Sequence, residues 1–158
     1  MSLDFPDSPA IDEIYTYGSL SYRWSGDRWV VASGTKYIIG CFVPGLLTAS
    51  QPLLLHSFSR GVTFPAGFAS YLGYASEARG SAAATGAVTI DMRQATAAAP
   101  TVFTSVGTIS IAAGAVVGTF ATSGAVVFAV GDTLALIAPA TADATFAGFA
   151  ATLAGYES

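Results

Sequence analysis

FPDSPAIDEIYTYGSLSYRWSGDRWVV, residues 5–31, is the stretch from which the rest of this chain is read. Tyr15, Tyr17, Tyr22, Trp24 and Trp29 fall within fifteen residues of it, spaced by two or separated by turn residues. Gly18-Ser19 and Ser25-Gly26-Asp27 punctuate it. That pattern predicts three very short strands in a meander, with rings stacked across neighbouring strands. A unit so small cannot bury those rings by itself. The rest of the chain, a second copy or a partner must cover them. Residues 1–13 read as an extended arm, because Pro6 and Pro9 disfavour helix and Asp4, Asp7, Asp12 and Glu13 keep the segment solvated. Such an arm is either disordered or laid along a neighbour.

Working outward, 158 residues suit one domain with room for a small appendage. The expected division is an attachment or oligomerisation unit over residues 1–33 and a body over residues 34–158. Hydrophobic residues make up 53% of the chain and charged residues 10%, against roughly 25% charged in an average soluble domain. So few charges cannot cover the surface of an isolated monomer, and much of that surface is expected to be shared with other subunits. A net charge of −4 argues against nucleic acid, which needs a basic face. The segment MSLDFPDSP is acidic and lacks an apolar run, so it does not read as a secretory signal.

No charge falls between Gln94 and Gly131, and Ile109–Val130 is long enough to span a bilayer. Gly107, Gly114, Gly118 and Gly124 interrupt it at turn-like spacing, Thr and Ser alternate with apolar residues, and no Lys or Arg flanks it. The expectation is therefore strands, with no membrane insertion.

The body reads as a run of such strands. KYIIGCFV, residues 36–43, looks like a strand buried on both faces and ended by Pro44-Gly45. Further strands are expected over residues 51–58, 62–65, 102–111, 116–121, 126–130, 133–138 and 145–154, the last with Phe146 and Phe149 open to a helical turn instead. Short strands with Gly-containing turns predict an all-β body, an antiparallel β-sandwich or jelly roll. In residues 71–79, Leu72, Tyr74 and Ala78 share one face while Glu77 and Arg79 share the other. In residues 88–93, Val88, Ile90 and Met92 oppose Thr89, Asp91 and Arg93. An antiparallel hairpin centred near Thr85 would set Glu77 against Arg93 and Arg79 against Asp91 as two cross-strand ion pairs. Exposed pairs of that kind are worth about 0–1 kcal/mol each and would fix register more than stability.

The pattern Phe5-Pro6-x-Ser8-Pro9, then Tyr15-x-Tyr17, then Tyr22-x-Trp24-x-Gly26-x-x-Trp29, resembles a short module of tailed-phage structural proteins, found in tail fibres and related virion appendages. The Gly131-Asp132-Thr133-Leu134 strand entry is similar to the C-terminal β-domains of phage appendage proteins. The resemblance implies a virion structural protein assembled in the host cytoplasm, attached through its N-terminus, with Phe5, Tyr15, Tyr17, Tyr22, Trp24 and Trp29 as the attachment interface. Its partners would be other virion proteins of tail or capsid, further copies of itself and, as a fibre, a host-surface glycan. Threefold symmetry suits an appendage, whereas two-fold dimers are the general rule for homo-oligomers. A capsid decoration protein is the alternative within the class, and a secreted carbohydrate-binding module is the alternative outside it. The lack of a disulfide framework disfavours the latter.

Residues with chemistry are sparse, and neither an enzyme nor a cofactor is expected. His56 stands alone in an apolar strand and reads as a packed or hydrogen-bonded side chain; one His and one Cys do not make a zinc site. Cys41 sits in YIIGCFV as a small core residue. No nucleophile elbow, Gly-rich phosphate loop or calcium-type acid cluster occurs. Glu77 and Asp91 are the carboxylates that a glycosidase would need, but each has an arginine in register to neutralise it. The aromatic meander would serve as a sugar platform or as a protein anchor, and the adjoining arm favours anchoring.

Overall fold

The computed structural model describes residues 5–11, 13–17, 20–31, 35–71 and 73–157. The turn expected at Gly18-Ser19, the junction expected at 33–34, and Asp4, Asp12 and Leu72 lie outside them. The chain divides into two compact units, Met1–Thr35 and Lys36–Ser158. The first contains β1 (Ile14–Tyr17), β2 (Leu20–Trp24) and β3 (Trp29–Val31), an antiparallel meander in sequence order.

The second unit holds β4 (Lys36–Leu46), β5 (Pro52–Ser57), β6 (Val62–Phe64), β7 (Glu77–Arg79), β8 (Val88–Ala95), β9 (Thr104–Ile111), β10 (Gly118–Ala121), β11 (Val126–Phe128), β12 (Thr133–Ile137) and β13 (Ala147–Glu157), with one 3₁₀ turn at Ala66–Phe68. Sheet I runs β10-β9-β8-β12-β5 and sheet II runs β11-β6-β13-β4, every neighbouring pair antiparallel. β7 lies beside β6 on the second edge of β13. The two sheets face each other across one core, an all-β sandwich-like fold.

Alternation builds that core. Val88, Ile90 and Met92 of β8, Ile109 and Ile111 of β9, and Leu134 and Leu136 of β12 point inward from sheet I. They meet Val62, Phe64, Phe128, Phe149 and Leu153 of sheet II. Phenylalanines join the sheets: Phe58 stacks on Phe128 at 4.3 Å, and Phe64, Phe68 and Phe120 continue the chain at 5.1 Å steps. No buried side-chain nitrogen or oxygen among the described residues lacks a hydrogen-bond partner.

Two expectations are corrected. The 71–79/88–93 hairpin does not form: Tyr71 and Tyr74 bridge one another, Glu77–Arg79 pairs with Thr152–Ala150 of β13, and β8 pairs with β9 and β12. Glu77 and Arg93 therefore belong to different sheets. Alternation told which residues share a face; it did not say which strand lies alongside. The second correction concerns KYIIGCFV. β4 is an edge strand, with Tyr37, Ile39, Cys41 and Val43 turned inward and Ile38 and Phe42 exposed. It also runs past Pro44 to Leu46. The missing N–H of Pro44 is tolerated because the register shifts opposite it, between Ala147 and Phe149, and Gly45 takes φ 72°. Of the two readings open for residues 145–154 the strand holds, since Phe149 sits in β13 opposite Val43.

Candidate interaction surface

In the amino-terminal unit the register sets Tyr15 opposite Tyr22 and Trp24 opposite Trp29. Period-two alternation then gathers Tyr15, Tyr17, Tyr22, Trp24 and Trp29 on one face, and sends Thr16, Ser21 and Arg23 to the other, where the hydroxyls of Thr16 and Ser21 lie 3.0 Å apart. Phe5 closes over the aromatic face. Its ring stacks on Trp29 at 5.1 Å and meets Tyr22 and Tyr15 edge-on at 5.1 and 5.3 Å. At Phe5 the arm is thus folded back onto its own meander. The Trp24 N–H donates to the Glu13 carbonyl and the Ala10 N–H to the Glu13 carboxylate, which fixes the return of the chain. Gly26, at φ 103°, makes the second turn in a region that other residues avoid, and Ile11 packs over it. Ser25 donates to Asp27 at 2.6 Å, and that hydrogen bond holds the Asp27 carboxyl below its ordinary value. Phe5, Tyr15, Tyr22, Trp24 and Trp29 are nevertheless only half-buried, and Tyr17 is exposed. Their own unit does not cover them.

The four charges expected as cross-strand partners pair along their own strands. Arg79 approaches Glu77 at 3.6 Å on β7, both exposed, and Arg93 donates to Asp91 at 2.6 Å on β8. Ser105 of β9 donates to the other Asp91 oxygen at 2.6 Å. Residues two apart on a strand share a face, so an acid and a base at that spacing satisfy charge sign and alternation without any hairpin. Each carboxylate has a cation beside it, and the two stand on the outer faces of opposite sheets.

Two carboxylates to which the sequence assigned no hydrogen-bonding role, Asp143 and Asp132, hold the body's loops. Asp143 accepts hydrogen bonds from the N–H groups of Gly86 (2.8 Å), Thr145 (2.9 Å), Phe146 (2.8 Å) and Thr85 (3.2 Å), which hold it far below the ordinary carboxylate value. The local signal was Asp-x-Thr-Phe, an Asx turn; the reach to Thr85–Gly86 has no sequence signature. Asp132 is buried. Burial raises its pKa, but the N–H groups of Ala129 and Ala97 and the amide of Gln94 more than offset this, and the net shift is downward. His56 lies 2.9 Å from the Tyr37 hydroxyl and edge-on to Phe58, with burial lowering its pKa. Burial pushes the half-buried Cys41 thiol up.

Concavities are shallow. One of about 90 Å3 lies between Glu77, Arg79 and Thr152, and one of about 250 Å3 between Gln94, Ser105, Ser123 and Val127. Among the described residues no three His, Cys, Asp or Glu gather as metal ligands. No described helix is long and apolar enough to cross a membrane, which leaves strand-built spans unaddressed. The surface instead offers apolar relief: the aromatic meander face, and the outer face of sheet II, where Phe42 is 66% and Ile38 45% exposed, Phe42 beside Ala150 and Ile38 beside the buried Ala154.

Fold and surface together define a class: a two-sheet antiparallel β-sandwich carrying a small aromatic meander. No protein-family model, curated protein or solved structure matches the chain.

Proposed function

We propose that this chain is a non-catalytic structural protein of a tailed-phage virion. It serves as a fibre-like appendage of tail or head, attached through its aromatic amino-terminal unit and self-associating through its body. The observation that carries the reading is the aromatic face itself: Phe5, Tyr15, Tyr22, Trp24 and Trp29 pack on one another yet stay half-buried. Tyr and Trp in that state are the residue types that anchor protein interfaces. A charged fraction of 10%, together with large apolar residues such as Phe42 and Leu55 standing exposed, supports self-association. The resemblance of residues 5–29 to a phage module supplies the virion context. A capsid decoration protein uses the same two features and differs only in where the chain sits on the particle.

An antibody against the chain, applied to purified particles from a lysate in which it is expressed, should label a discrete position on the virion. Protein left wholly in the supernatant, with bare particles, overturns the proposal. A carbohydrate-binding module is the second reading, because flat rings also stack on sugars. Glycan-array binding that disappears in Trp29→Ala, with no label on particles, would establish it instead.

A further inference from the structure

The body has five strands at sheet edges, and four are guarded, among them β7 with three residues and a bridge from Arg79 to Val117. β10 and β11 have four and three residues, and β5 has six and opens on Pro52. Short edges and prolines are the usual protection against pairing with another chain. β4 has eleven residues; Pro44 and the register shift lie towards its end, and its regular stretch, residues 36–43, holds no proline and one charge, Lys36, at its very start. Among the described residues of the body no backbone hydrogen bond reaches its outer edge.

Gly40 lies at the middle of the regular part of that strand. Glycine weakens a strand and usually marks a bulge or the close approach of another backbone. Inside this chain Gly40 has neither reason: its φ is not positive, and an added Cβ would meet only the Ala151 carbonyl oxygen, at an ordinary 3.9 Å. Gly155 and Gly107 differ, since a Cβ there would lie 2.7 and 2.6 Å from a carbonyl oxygen.

We infer that β4 pairs antiparallel with β4 of a second copy about a two-fold axis at Gly40, joining the two copies of sheet II into one continuous sheet. The inference rests on the self-association proposed above and gives it two-fold symmetry, in place of the threefold symmetry expected from the sequence. Around that axis Ile38 stands opposite the partner copy's Phe42, twice, an aromatic and β-branched cross-strand pair of the favoured kind. Gly40 meets Gly40, leaving the centre open between the pairs. Lys36 falls opposite Pro44 at either end, so no like charges meet. Shifting the axis to residue 39 would set Lys36 against Phe42. Shifting it to 42 would force pairing through the irregular Pro44–Gly45 segment. An edge pairing sits at the small end of specific interfaces, so the expected dissociation constant is micromolar.

Light scattering of the full chain across micromolar concentrations should show a dimer of the 16.0 kDa chain. Gly40→Lys, with room for its Cβ in the monomer, should weaken dimerisation at least tenfold and leave the far-UV circular dichroism melt in place. In a Cys41→Ser background, Ile38→Cys with Phe42→Cys should give an interchain disulfide under mild oxidation. Ile38→Cys alone should not, since its two copies would lie about 13 Å apart along the paired strands. A monomer throughout, a trimer, a dimer indifferent to Gly40→Lys, or equal cross-linking by the single and double cysteine variants would each overturn the inference. The virion reading fails separately, through unlabelled particles, whatever the dimer does.

Discussion

Removing the ring of Phe5 should melt the amino-terminal unit and spare the body. Phe5 is half-buried against Trp29, Tyr22 and Tyr15 at 5.1–5.3 Å. Half of the roughly 1.5–3 kcal/mol for burying a phenylalanine is about 1 kcal/mol. Three aromatic contacts, each near the low end of about 0.5–1.5 kcal/mol, add a similar amount. Phe5→Ala should therefore cost about 2–3 kcal/mol, a large share of what a unit of this size can hold. Both tryptophans of the chain, Trp24 and Trp29, lie in this unit. Tryptophan fluorescence therefore reports on it alone, while far-UV circular dichroism is dominated by the ten strands of the body. The expected result is a red-shifted emission and a tryptophan transition lowered by more than 10 °C, with the dichroism melt unmoved. Unchanged emission and an unchanged tryptophan transition would show that Phe5 is not part of the cluster.

In the body, Phe128→Ala removes a fully buried ring stacked on Phe58 and should destabilise by about 3–4 kcal/mol in urea, the lower part of the usual range because β11 is a three-residue edge able to collapse inward. Asp143 titrates lower in the folded than in the unfolded chain. Its contribution is complete above the ordinary carboxylate value of 3.8 and drains away as pH falls below it. Asp143→Asn should thus lower the melting temperature at pH 7 and narrow the gap to wild type at pH 2–3; a constant gap would refute the assignment. His56 is held neutral by burial, so the unfolded chain binds more protons below 6.5 and stability falls as pH drops through that value. His56→Gln should flatten this slope in melts between pH 5 and 7, and an unaltered slope would place the proton elsewhere.

Strand positions were largely legible because they depend on local alternation and on Gly and Pro at turns. Val62–Phe64, Val126–Phe128 and Thr133–Ile137 fall inside the segments expected for them. The apolar face of β8, Val88, Ile90 and Met92, is buried as its period required. Partner choice was not legible. Glu77 and Arg79 satisfy one another on β7 as well as they would satisfy β8, and what decides between these is that β13 runs long enough to accept β7, β6 and β4 along its two edges. The outward turn of Ile38 and Phe42 was hidden for a related reason: an unbroken apolar run looks the same in a central strand and at an unguarded edge.

By itself the sequence determined that this is a β protein, roughly where most of its strands lie, and that tyrosines and tryptophans stack across a small meander, because period-two alternation is a local property of the backbone. Only the tertiary structure decided that Phe5 returns to cover that face, that Asp143 ties the Thr85 loop to β13, and that β4 is left with an open edge. Each of these joins groups distant in sequence, and such contacts follow from which surfaces fit when the chain closes on itself, which no local pattern encodes.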